Sequence, residues 1–147
     1  MPLLPSRVPT SQHVQKILAA LLILSAPSVT FAEEPKVIAD TSLGRITLDE
    51  RSITQAESYT QAWFTYEFKK TQRLAAPLNI VFGLRKDLVN IDCKKNLLGI
   101  SQSDFFDDNK LVYTKRIETA DVKFSAIAPE SMAEKLHGAV CRNNTAQ

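Results

Sequence analysis

The sequence predicts an α+β domain: an antiparallel β meander closed by one C-terminal helix. Two observations carry this. From residue 37 to residue 126 apolar and polar residues alternate in short runs separated by turn chemistry, which is the period of half-buried strands. Only the last segment, PESMAEKLHGAVC (residues 129–141), changes to helical spacing.

The first 32 residues are set aside before the elements are taken in order. Arg7, His13 and Lys16 precede the apolar run ILAALLIL (17–24), and small residues stand at Thr30 and Ala32. A basic start, a short apolar stretch and small residues at its end predict a secretory signal peptide cleaved after Ala32. Eight apolar residues fall well short of the ~20 that a membrane-spanning helix needs. No cysteine precedes Cys93, so no lipobox is present. The expectation is export to the periplasm or outer surface, with residues 33–147 forming one small domain.

Cleavage also changes the charge. The chain carries 18 Lys+Arg and 16 Asp+Glu, and losing Arg7 and Lys16 leaves 16 of each. A neutral domain lacks the basic face of nucleic-acid binders. Small clusters such as Lys69, Lys70 and Arg73, or Asp107 and Asp108, read as solvated surface.

In the mature chain, Ile46 and Leu48 alternate with Arg45, Thr47 and Asp49, and Asp49-Glu50-Arg51 reads as a tight turn. In QAWFTYEFKK (61–70), Ala62, Phe64, Tyr66 and Phe68 share one face, with Trp63, Thr65 and Glu67 on the other. A loose segment containing Pro77 and Gly83 follows. Then Val89, Ile91 and Cys93 share a face, opposite Leu88, Asn90 and Asp92. Asp107-Asp108-Asn109-Lys110 has hairpin-turn chemistry between apolar runs. Leu111, Tyr113 and Lys115 continue the alternation, and Val122, Phe124 and Ala126 predict a last strand ending at Pro129.

Ser131 and Glu134 fit a capping box opening the helix. Met132, Leu136, Ala139 and Val140 form its packing stripe, and Cys141 falls off that stripe. Either the helix loosens near Gly138 or a bridge clamps its very end.

Cys93 and Cys141 are the only cysteines, and export gives them an oxidising compartment, so they are expected to form a disulfide. Closing a ~49-residue loop is worth about 4 kcal/mol in the chain-entropy model. A metal site has little inventory, since His137 is the only mature histidine and no CxxC occurs. His137 is read as a solvated surface residue beside Glu134, and Asp92 as outward-facing. Asp107 and Asp108 belong to a turn and do not oppose each other across a substrate as hydrolytic carboxylate pairs do. Asn143-Asn144-Thr145 matches a glycosylation sequon only at chance level. The expectation is a non-enzyme without cofactor.

Trp63 places a large apolar group on the second face of its strand. Three readings stand: the helix covers that face, Trp63 is partly exposed on a simple two-layer core, or the face meets a partner.

The order of features resembles the surface-adhesin protein E family of Gram-negative bacteria. The resemblance rests on DTSLGRITLDERSI (40–53), AWFTYEF (62–68), NIDCK (90–94), FFDDNKLV (105–112) and IAPESMAEKLHGAVC (127–141). It implies a curved antiparallel sheet, here of about six strands, with the helix tethered to it by a disulfide at Cys93 and Cys141. It also implies a binding protein, dimeric in its best-known member, whose partners are host matrix or plasma proteins such as vitronectin and laminin. The missing lipobox is a departure that leaves surface anchoring unsupported. A periplasmic inhibitor or immunity-type protein, binding a cell-wall or toxin enzyme, is the alternative expectation.

Overall fold

The computed structural model describes residues 34–142. The expected signal peptide and the Asn143 sequon lie outside them. The sheet has eight strands: β1 (Lys36–Asp40), β2 (Gly44–Leu48), β3 (Thr54–Gln55), β4 (Thr60–Arg73), β5 (Val81–Asp92), β6 (Leu97–Asp107), β7 (Lys110–Arg116) and β8 (Ser125–Ala126). One helix, α1 (Met132–Cys141), follows. The order β1-β2-β4-β5-β6-β7 is antiparallel throughout, with the dipeptide strands β3 and β8 attached to β4 and β6. Six principal strands therefore agree with the sequence expectation. Register irregularities in β1, β4–β5, β5–β6 and β6–β7 bend the sheet.

The turns form where their residues permit. Asp108 and Asn109 both take left-handed backbone, with φ of 45° and 64°. Two successive left-handed residues make the type I′ turn that suits a two-residue hairpin, and Asp and Asn tolerate it. It pairs Asp107 with Lys110 and fixes the β6–β7 register.

Ser131 caps α1, its Oγ accepting from the Glu134 N–H at 3.2 Å. The Glu134 carboxylate reaches back past Ser131 to the Glu130 N–H at 2.7 Å. This is a one-residue departure from the expected reciprocal box, at a point where Glu130 holds φ 58°. The helix runs unbroken through Gly138 to Cys141, so the bridge clamps its last residue.

Two strand expectations are corrected. β4 continues through Lys69–Arg73 into solvent, beyond its apolar pattern, because its pairing to β5 breaks after Glu67 but resumes at Gln72 and Arg73, opposite Phe82 and Val81. The expected last strand is reduced to Ser125–Ala126, preceded by a 3-10 turn at Thr119–Asp121. Gly99 supplies the reason. A Cβ there would stand 2.7 Å from Val122 Cγ1, so the missing side chain lets Val122 lie over the sheet. Phe124 then meets the Tyr59 ring at 6.0 Å instead of entering the core.

Candidate functional site

The alternation of β4 divides the sheet into two faces. On the Phe64 face, Leu48, Ala62, Phe64, Val89 and Ile91 are fully buried and receive Leu136, Ala139 and Val140 of α1. Met132 and Cys141 pack at the margin of this cluster. The helix thus lies on the Phe64 face, which corrects the reading that it covers Trp63. Leu48, Ala62, Phe64, Val89 and Ile91 supply the apolar surface that takes the helix stripe, whereas the Trp63 face is crossed by polar rows.

Cys93 and Cys141 form a disulfide with a Cα–Cα distance of 5.7 Å. His137 belongs to the same neighbourhood. Its ligand nitrogen and the two sulfurs all lie within 4.8 Å of one another. Its Nε2 is buried and has no hydrogen-bond partner among the described residues. The expectation of a solvated surface histidine is therefore corrected: one helical turn separates His137 from Cys141, and the disulfide draws both toward the strand end. The four-residue spacing and the expected disulfide together pointed to this neighbourhood, and the sequence reading did not combine them.

Beyond the helix the same face changes chemistry. Phe82 and Phe105 are buried outside the helix-centred cluster. Phe68, Phe82, Phe105 and Tyr113 form a continuous ring series, with centroid separations of 5.6, 4.9 and 5.7 Å. Beside it the Arg85 guanidinium lies 4.5 Å from the Tyr66 ring centroid. Arg85 Nη2 stands 3.0 Å from Asp87 Oδ2.

Asp87 is completely buried, and among the described residues neither of its carboxylate oxygens has a well-directed hydrogen bond. Burial pushes its carboxyl pKa upward, with Arg85 and Ser103 opposing. Burial and the Asp87 charge together push the Tyr66 hydroxyl up to about 12. An aspartate in phase with Val89 and Ile91 was legible as inward-facing, and the sequence reading missed it.

Asp92 is also buried, not outward-facing. It accepts the N–H groups of Lys95 and Lys94 at 3.0 and 3.1 Å, closing the β5–β6 turn. These bonds, that from Lys95 foremost, hold its carboxyl below the usual range.

The Trp63 face has a different construction. Directly paired rows cross it: Trp63–Leu88–Gln102–Arg116, then Thr65–Lys86–Asp104–Thr114, then Glu67–Leu84–Phe106–Leu111. Trp63, Leu84, Leu88 and Phe106 are half-buried and Leu111 is exposed. The polar members are linked. Arg116 Nε donates to Gln102 Oε1 at 3.1 Å, and Gln102 Nε2 and Thr114 Oγ1 both donate to Asp104. Lys86 Nζ lies 5.5 Å from the Phe106 ring centroid. Val122 and Lys123 cover this face at Gly99. Ser52 secures the strand edge, its Oγ accepting from the Trp63 N–H at 2.8 Å.

The family model described as surface-adhesin protein E matches residues 36–142. The chain belongs to the surface-adhesin protein E family. Solved structures of Haemophilus influenzae protein E share its fold. One aligns with a TM-score of 0.53 at 11% identity, covering 82% of this chain and 92% of that one. A structure from non-typeable H. influenzae gives 0.53 and 11% over 79% and 81%. Crystal form II gives 0.50 and 10% over 67% and 80%. No curated protein matches in sequence. At such identities the likeness to protein E is one of fold, and no helix among the described residues is long and apolar enough to cross a membrane.

Proposed function

We propose that this member of the surface-adhesin protein E family is an exported, non-enzymatic binding protein whose contact surface is the Trp63 face. The observation that carries the reading is that face itself. Four strands present Trp63, Leu88, Leu84, Phe106 and Leu111 in register, interleaved with Arg116, Lys86 and Asp104, while α1 packs on the opposite face. Half-buried aromatic side chains beside an exposed arginine, Arg116, offer the residue types that dominate protein–protein binding energy. Rigid strands hold them in place before any partner arrives, which lowers the ordering cost of association.

The partner class suggested by the family is a host matrix or plasma protein. Exported chain on a sensor surface should bind laminin or vitronectin, and Trp63→Ala should weaken that binding by roughly thirtyfold or more, the effect of an interface hot spot. Equal affinity of the folded variant would remove Trp63 from the contact. Cell fractionation with surface protease treatment tests the location. A chain confined to the periplasm and indifferent to matrix proteins would favour the inhibitor or immunity-type reading instead. A homodimer through the same face would appear in sedimentation as a species that Trp63→Ala dissociates.

A further inference from the structure

The neighbourhood of Cys93, His137 and Cys141 has the makings of a second site. His137 and Cys141 are four residues apart on α1 and so project on the same side, one turn above the other. Cys93 meets them from the end of β5. The three ligand atoms lie within 4.8 Å of one another. Tetrahedral zinc, with bonds of about 2.3 Å to sulfur and 2.0–2.1 Å to nitrogen, sets its ligand atoms about 3.5–3.8 Å apart. The buried Nε2 of His137 has no hydrogen-bond partner among the described residues. A buried imidazole nitrogen is ordinarily satisfied, so one left unpaired calls for a reason.

We propose that reduction of the Cys93–Cys141 bond converts these three residues into a Cys2His site for a thiophilic divalent cation of the zinc class. A dithiol reductant supplies two electrons and two protons, becoming a disulfide itself, and leaves two thiols on the protein. Each thiol releases its proton to solvent as its sulfur binds the cation. The Cα–Cα distance of 5.7 Å lets the sulfurs part by side-chain rotation, without moving the strand end from the helix. Three protein ligands leave the fourth position to water, as in zinc sites that remain open to exchange. Oxidation and metal occupancy are then mutually exclusive states of one tether, both holding α1 on the sheet.

Cobalt(II) titration of the exported chain tests this, after dithiol reduction and anaerobic removal of the reductant. The reduced chain should bind one cobalt per molecule with a thiolate-to-cobalt charge-transfer band, should lose it to zinc(II), and should melt higher with metal than without. The oxidised chain should show none of this. His137→Ala keeps the disulfide and should weaken cobalt binding in the reduced state on the order of a hundredfold. An unchanged spectrum and affinity in that variant would overturn the proposal, because the two thiolates alone would then account for binding. A reduced chain that unfolds and is not refolded by zinc would overturn it equally.

Discussion

The two faces of one strand, β4, show how the same period-two pattern serves opposite purposes. Phe64 and Trp63 are adjacent and similar in hydrophobic character. Phe64 is fully buried among Leu48, Val89, Ile91 and the helix stripe, while Trp63 stays half-buried beside Leu88 with polar rows on its flank. The difference lies in the neighbours that each register brings alongside. On the Phe64 face, Leu48, Ala62, Phe64, Val89 and Ile91 gather at one end into an apolar patch that receives the helix, with the paired Arg85 and Asp87 set beyond it. On the Trp63 face, pairing alternates apolar and linked polar rows, which no amphipathic helix matches.

This contrast is open to direct challenge. Phe64→Ala should have the largest effect, about 3–5 kcal/mol in urea denaturation, because it opens a cavity under α1. Loss of under about 1 kcal/mol would mean the helix does not depend on that face. Joint replacement of Cys93 and Cys141 by serine should cost about 4 kcal/mol at most, the loop-closure value. An unchanged melting temperature would show that packing alone holds the helix. Trp63→Ala should cost about 1 kcal/mol or less in stability while weakening partner binding. A loss as large as that of Phe64→Ala would make Trp63 a core residue and collapse the contrast.

Asp87 gives the subtlest test. Its carboxyl is raised by burial, so the folded state holds its proton more tightly than the unfolded state does. Stability from this group is therefore present below the ordinary carboxylate pKa of 3.8 and declines as pH rises through the folded value. Asp87→Asn should flatten that decline in melting temperatures measured from acid upward. Asp92 has the opposite sign. Its lowered carboxyl contributes stability above the ordinary value that is lost as pH falls through the folded one. An Asp87→Asn profile with the same slope as the parent would show that Asp87 titrates normally.

Much of the architecture was legible in the sequence because it is set locally. Alternation assigned the faces of β4 and β5, the Asp-Asp-Asn-Lys run specified its hairpin, and Ser131 announced the helix start. Two cysteines admit only one pairing. What escaped was set by distant residues. Both faces of β4 carry aromatic groups, so nothing local tells which one the helix takes. Val122 and Phe124 alternate like a strand, but Gly99 invites Val122 out of the ladder. His137 looks polar on its own helix unless its spacing to Cys141 is combined with the disulfide to Cys93. The paired rows of the Trp63 face depend on four strands coming into register, which no single segment reveals.

The disulfide also has a mechanical consequence. It joins residue 93 to residue 141, a sequence separation of 48. When a chain is pulled from its two ends, tension crosses such a link directly and bypasses everything between. Residues 94–140, β6 and β7 among them, therefore add no length when the chain is stretched between its ends, although those two strands make up half of the Trp63 face.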